Sequence, residues 1–210
     1  MKTLSAQEIE DLEKRFRANL INSASGFKSA NLIGSRSKDG IDNLALFSSV
    51  FHLGAHPPLL GFVMRPLTVR RDTYSNIREL GHFTVNALPL SMSDSGHRTA
   101  AKYEASTSEF DVTSFTSELS PMGVPYVNES PLKMTCELID DIEVKANGTR
   151  IIVGKVIELK CEEKFLGDDG FFDLSTAGVG AISNLDSYHR VEKGKRFAYP
   201  RPEEPIKTLS

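Results

Sequence analysis

Near the start of the chain the apolar positions recur at helical spacing. Ile9, Leu12, Phe16 and Leu20 have charged residues between them, which predicts one amphipathic helix. Ser5 and Glu8 precede the stripe as an S-x-x-E capping box, in which each side chain satisfies the other's end of the turn. A helix with one apolar stripe packs on something. From Phe27 the period changes to that of strands. Residues 27–37 read as a strand, Lys38-Asp39-Gly40 as a turn, and residues 41–53 as the returning strand. Residues 54–58 break it, and 59–64 form a short, wholly apolar strand. Residues 65–71 are a loop. Asp72 is placed to cap a short helix ending at Gly81, where glycine permits a left-handed closing residue. Residues 82–88 are another strand.

Residues 89–124 are rich in Ser and Thr and weakly patterned. They read as an excursion from the sheet with a short helix around 99–103. The clearest local signal follows. Asn147-Gly148 lies between two long strands, 132–146 and 149–161, and suits a two-residue turn because both positions need positive φ. With that turn Ala146 faces Thr149 and Cys136 faces Leu159. Cys136 then lies diagonal to Cys161, and no disulfide is implied. Asp140 and Lys155 interrupt the apolar faces of the two strands and face each other, so a cross-strand ion pair is expected. Pro200, Pro202 and Pro205 end the chain in an extended arm.

Strands of long sequence separation and few helices point to a closed or half-open barrel, which removes exposed edges. The fold class is mainly β with peripheral helices. One domain is expected over 1–210. It divides into an N-terminal helix and lead-in (1–26), the barrel (27–200, with the excursion 89–124) and a tail (201–210).

Composition narrows the function classes. The 210 residues carry 25 Lys and Arg against 28 Asp and Glu, a net charge of −3. That balance argues against binding nucleic acid through bulk positive charge. Two cysteines cannot make a disulfide framework. The longest uncharged apolar run, 57–64, has eight residues, against the roughly 20 of a membrane-spanning helix. Acids stand where a signal peptide has its apolar stretch. A cytoplasmic protein with no membrane partner is expected.

Several familiar sites are missing from the sequence. There is no P-loop and no Cys-x-x-Cys. Gly178 and Gly180 lack the third glycine of a dinucleotide fingerprint. His52 and His56 are four apart, but Gly54 and Pro57 argue against a helix that would bring them to one metal. No catalytic acid, base or nucleophile and no metal ligand is assigned.

Two stretches depart from the average. Between 65 and 78 lie Arg65, Arg70, Arg71 and Arg78 with one acid, Asp72. Arg70-Arg71-Asp72-Thr73 stands where a loop enters a helix, and free N–H groups at a helix start suit a phosphate. The plain alternative is a solvated arginine cluster. The preceding strand is also unusual. By alternation Asn43, Ala45, Phe47, Ser49 and Phe51 share one side, with Leu44, Leu46, Ser48 and Val50 on the other. One side is small, polar and aromatic by turns, as a flat ligand held against backbone requires. A tapering barrel strand would read the same way.

Together these segments resemble the flavin reductase-like family, whose fold is an FMN-binding split β-barrel of Greek-key type with about six strands. The matching residues are Asn43, Ala45 and Ser48, then Pro57, Pro58 and Leu59, then Arg71, Asp72 and Thr73. Asn76 and Ile77 follow, then Gly81, Phe83, Val85 and Asn86. Segments 97–111 and 183–190 also resemble the family, so the likeness runs from about Phe27 to Pro200. Leu46 departs from a common Pro, and Arg71 from a common Lys.

The resemblance implies FMN as cofactor, its phosphate near Arg71 and Thr73 with Arg70 and Arg65 next in line. It implies the ring along Asn43, Ala45, Phe47, Ser48 and Ser49. His97 and Tyr103 would line the mouth or be ordinary loop residues. Tyr188 and His189 would approach the site or anchor the tail. NADH or NADPH is implied as a co-substrate, with electrons passing to free flavin, a partner protein such as a monooxygenase, or a small acceptor. Two alternatives stay open. One is a flavoredoxin-like electron-transfer module with no nicotinamide step. The other is a non-catalytic barrel binding another small ligand. The family is typically homodimeric.

Overall fold

The structure, a computed structural model describing residues 1–209, begins with the expected capping box. Ser5 Oγ accepts the Glu8 N–H, and Glu8 Oε2 accepts the Ser5 N–H at 2.7 Å. The expected single helix is two, α1 (Ala6–Asp11) and α2 (Lys14–Ala24). Leu12 between them is extended, at φ −58° and ψ 143°. Glu13 restarts the helix by accepting the Phe16 N–H at 2.9 Å. A capping carboxylate in the middle of the stripe thus competes with helix continuation. Neither helix buries a residue, and Phe16 and Ile21 stay more than half exposed. Among the described residues their apolar stripe is only partly covered: Ile9, Leu12 and Leu20 are half-buried and Phe16 is exposed.

The remaining elements, in chain order, begin with β1 (Lys28–Ser29), β2 (Asn31–Arg36), β3 (Asp42–Phe47), β4 (Phe51–Ala55) and β5 (Pro58–Met64). Then come α3 (Asp72–Leu80), β6 (His82–Ala87), α4 (Ser93–Arg98), α5 (Glu109–Val112), β7 (Ser117–Leu119) and β8 (Pro125–Val127). The chain ends with β9 (Leu132–Val144), β10 (Thr149–Cys161), β11 (Ala181–Ser183), β12 (Ser187–His189), β13 (Arg196–Phe197) and β14 (Thr208–Leu209). Among these described residues no helix is long and apolar enough to cross a membrane.

Seven strands form the main antiparallel sheet in the order β3-β2-β6-β9-β10-β5-β4. Its edge strands, β3 and β4, are neighbours in sequence, joined by residues 48–50 alone. So short a link holds the two edges side by side and curls the sheet. Ser49 in the link accepts the Val63 N–H at 3.1 Å and donates to Val63 O at 3.3 Å on β5. The sheet does not close by a ladder across this seam. The result is the expected split barrel, with seven strands in its main sheet.

The expected continuous strand 41–53 therefore breaks at the seam, and so does its alternation. Leu44 and Leu46 pack on one side, as expected. Phe47 and Val50 pack together on the other, although alternation separates them. Ser48 and Ser49, whose side chains compete with ladder bonding, allow the turn.

Both faces of β2 are buried. Ile33 joins Phe62, Ile77, Phe83 and Ile152 inside the barrel. Leu32 joins Leu44, Phe115, Val127 and Ile182 outside it. The excursion, β8 and the β11–β12 hairpin thus supply a second core over the outer face. The helix expected at 99–103 forms earlier, as α4, and runs through Gly96.

The long hairpin keeps its strands and changes its register. Val144, not Ala146, faces Thr149, and the turn has four residues. Gly148 alone takes positive φ there, at 72°, so Asn-Gly ends a longer turn instead of filling a two-residue one. A bulge then shifts the ladder at Val153/Gly154. Lys155 faces Glu137, Asp140 faces Val153, and the expected Asp140–Lys155 pair does not form. Cys136 faces Val156, Cys161 faces Leu132, and both thiols are free. The proline-rich tail folds back as the β13–β14 hairpin instead of an extended arm.

Candidate functional site

α3 opens without a side-chain cap. Arg71, not Asp72, is its N-cap residue, and arginine has no acceptor to offer the first-turn N–H groups. The contrast with Ser5 and Glu13, which cap the first two helices, is local and chemical. The N-terminal end of α3 therefore keeps open donors and positive potential. Gly81 closes the other end in the left-handed region, at φ 72°.

The neighbouring arginines have different roles. Arg70 is committed to the protein: its guanidinium pairs with Asp72 at 3.0 Å and donates to Tyr103 O at 2.8 Å. That pairing also offsets the acid at the helix start. Arg71 is half-buried, and its Nε is buried without a hydrogen-bond partner among the described residues. A buried, charged donor without an acceptor is costly, so Arg71 fits a site built for an anion. Arg65, just past β5, is exposed and stands outside this bonded group.

Thr73, on the first turn, is buried. Its Oγ1 accepts from Asn43 Nδ2 on β3 at 3.0 Å. This bond brings together two residues that were expected at opposite ends of a ligand. Asn43 also reaches Ser35 Oγ on β2 at 3.2 Å, as does Asn76 Nδ2 from α3.

β3 is an edge strand, so alternate N–H groups point away from β2. Leu44 N–H is one of them: it donates to Glu109 Oε2 of α5 at 2.8 Å. By parity, Leu46 presents its N–H group to the same side. Glu109 is buried, and burial pushes its carboxyl above the ordinary glutamate range. The sequence carried no signal for Glu109, an acid in a weakly patterned segment. Ala45 is half-buried opposite Ile33, and Phe47 packs edge-on to Phe62 with centroids 4.9 Å apart. Ser48 is half-buried in the seam, beside the Ser49 that bridges to Val63.

α4 packs near β3 and carries His97 on its exposed side. His97 Nδ1 and Tyr188 Oη are 3.0 Å apart, with their rings edge-on at 5.9 Å. Tyr188 is half-buried, which pushes its hydroxyl up to about 12. His189 turns away: its Nε2 lies within bonding distance of Ser183 and Ser187 in the β11–β12 hairpin.

The assembled feature is an anion-favouring helix start set against a strand edge with outward N–H groups. It can hold a phosphate at one end and a flat hydrogen-bonding ring along the edge.

Comparison with known proteins places the fold in a family. The family described as "Flavin reductase like domain" matches residues 26–174. A split barrel domain structure from Shewanella frigidimarina is 40% identical, with a TM-score of 0.91 over 95% of this chain and 100% of that one. Nitrilotriacetate monooxygenase component B from Bacillus cereus is 21% identical, with a TM-score of 0.82 over 92% of this chain and 97% of that one. An FMN-binding protein from Thermus thermophilus, with bound 1-cyclohex-2-enone, is 18% identical, with a TM-score of 0.73 over 90% and 96%. The last two likenesses speak for the fold alone. With its split barrel and a family match over most of its length, this chain belongs to the flavin reductase-like domain family.

Proposed function

We propose that the protein is an FMN-dependent oxidoreductase of the NAD(P)H:flavin reductase type. It uses NADH or NADPH as reductant and delivers electrons to free flavin, a partner protein or a small acceptor. The observation that carries this reading is the start of α3, where the uncapped first turn meets the buried, unpaired Arg71 Nε. A mononucleotide's phosphate satisfies both. In this reading Arg71, Thr73 and the first-turn N–H groups hold the phosphate. Arg70 keeps Asp72 neutralised beside it, and Arg65 contributes longer-range charge. Beyond Asn43, which is bound to Thr73, the edge of β3 from Ala45 to Phe47 and the link at Ser48 and Ser49 receive the ring, with the Leu46 N–H as a donor. Ala45 keeps the approach open, and Phe47 supports the strand from inside the barrel. His97 stands at the mouth, held by Tyr188.

FMN, when bound, supplies hydride and one-electron chemistry at its ring. The chain then has to bind, orient and exclude water, and need supply no acid or base. The Thermus thermophilus neighbour supports FMN as the flavin. The nitrilotriacetate monooxygenase component B neighbour supports a monooxygenase as one destination for the electrons. A homodimer is part of the proposal, since the α1–α2 stripe is only partly covered among the described residues, with Phe16 and Ile21 more than half exposed.

The purified protein is expected to be yellow or to turn yellow on adding FMN. A colourless protein that takes up no FMN overturns the flavin reading. Anaerobic mixing with NADH, and separately with NADPH, is expected to bleach the colour promptly with at least one of them. Colour that survives both but yields to dithionite removes the nicotinamide step and leaves an electron-transfer module.

A further inference from the structure

We propose that Ser35, Asn43 and Asn76 are positioning residues that hold the Thr73 hydroxyl as a hydrogen-bond donor to the phosphate of a bound mononucleotide. This rests on the reading of the α3 start as the phosphate site.

The argument begins with a hydroxyl's valence. Thr73 Oγ1 has one proton to give and lone pairs to receive. Asn43 Nδ2 donates to it at 3.0 Å. An amide N–H on one side turns the hydroxyl proton to another side. Thr73 lies in the first turn of α3, where the open N–H groups and Arg71 gather. An oxygen aimed there as an acceptor would repel a phosphate, whereas one aimed there as a donor binds it.

The Asn43 amide is itself held. Its Nδ2 also reaches Ser35 Oγ at 3.2 Å, and Ser35 is its direct cross-strand partner on β2. Asn76 Nδ2 donates to the same Ser35 oxygen at 3.2 Å. Thr73 and Asn76 are three apart on one helix and share a face. One buried oxygen, Ser35 Oγ, thus joins β2, β3 and α3. Ser35, Thr73 and Asn76 are each at most 6% exposed. A group of buried polar side chains between a helix and a sheet costs more than an apolar contact there unless every member is used. The network ends on the Thr73 hydroxyl, at the helix start.

The test titrates the full chain with FMN and with riboflavin, which has the same ring and no phosphate. Thr73→Val is expected to weaken FMN about tenfold and riboflavin less than about twofold. Thr73→Ser keeps the hydroxyl and should hold FMN affinity within about twofold. Asn43→Ala and Asn76→Leu are each expected to weaken FMN about threefold to tenfold, again sparing riboflavin. In a Thr73→Val background both effects should vanish, because there is no hydroxyl left to orient. FMN affinity that is unchanged or raised in Asn43→Ala overturns the proposal, since the hydroxyl would then have been donating to the Asn43 amide. Losses that add fully to that of Thr73→Val overturn it as well. If Thr73→Val leaves FMN untouched, the phosphate lies elsewhere and the underlying reading fails with the proposal. Retained riboflavin binding shows that each variant still folds. A Thr73→Ser loss as large as that of Thr73→Val overturns the donor role on its own.

Discussion

Glu109 is a carboxylate in a place that solvates it poorly. Its Oε2 holds the Leu44 N–H, and burial is the largest influence on its ionisation, in the upward direction. A carboxyl raised in the folded state holds its proton more tightly there than in the unfolded chain. Its contribution to stability is therefore most favourable below the ordinary glutamate value of 4.5. That contribution declines as pH climbs through the raised folded value. Glu109→Gln keeps an acceptor for Leu44 and cannot ionise. It is expected to melt at a higher temperature than the parent near neutrality and at the same temperature near pH 4. A parent and variant that track each other across that range would show that the carboxyl ionises freely. At this scale charge and spacing in the sequence pointed to the step Arg70-Arg71-Asp72-Thr73 as a place for an anion. The family resemblance put Arg71 ahead of Arg70, and the structure adds that Asp72 and the Tyr103 carbonyl occupy Arg70.

The elements were legible where a local rule governs and illegible where a longer contact overrides it. The Ser5 capping box and the Gly81 closure are such local rules, and both formed. The hairpin register depended on one assumption about its turn, and a four-residue turn with a bulge moved every partner. The bulge has a packing reason. A Cβ on Gly154 would come within 2.4 Å of Phe83 Cζ and 2.9 Å of Cys136 Cβ. A Cβ on Gly81 would meet open space, leaving only its φ of 72° as a cost. Gly154→Ala is expected to lose about 1–3 kcal/mol by overpacking, and Gly81→Ala about 1–2 kcal/mol by backbone strain. Urea unfolding measures both losses. Shortening Phe83 to Leu should recover part of the first loss and none of the second. Equal recovery at both positions would remove the steric account.

At the scale of the whole molecule, one chain leaves apolar surface uncovered. Phe16 and Ile21 on α2 are joined in exposure by Ile139, Ile142, Ile157 and Leu159 on the long hairpin. Surface of this kind is what an interface between copies covers. The protein is expected to sediment as a dimer, and Leu159→Glu to shift it toward monomer with its FMN site intact. A parent protein that is monomeric at micromolar concentration would overturn the dimer. From the linear order of residues came the strand and helix periods, the Ser5 cap, the Gly81 closure and a local excess of arginine before a helix. These follow from neighbours a few residues apart, which a linear reading sees. The hairpin register, the break at Ser48 and Ser49, and the second core over β2 were settled in three dimensions. So were the bond from Arg70 to the Tyr103 carbonyl and the union of Asn43 with Thr73. Each of these depends on the curl of the sheet, which brings together residues tens of positions apart, and no local pattern records that.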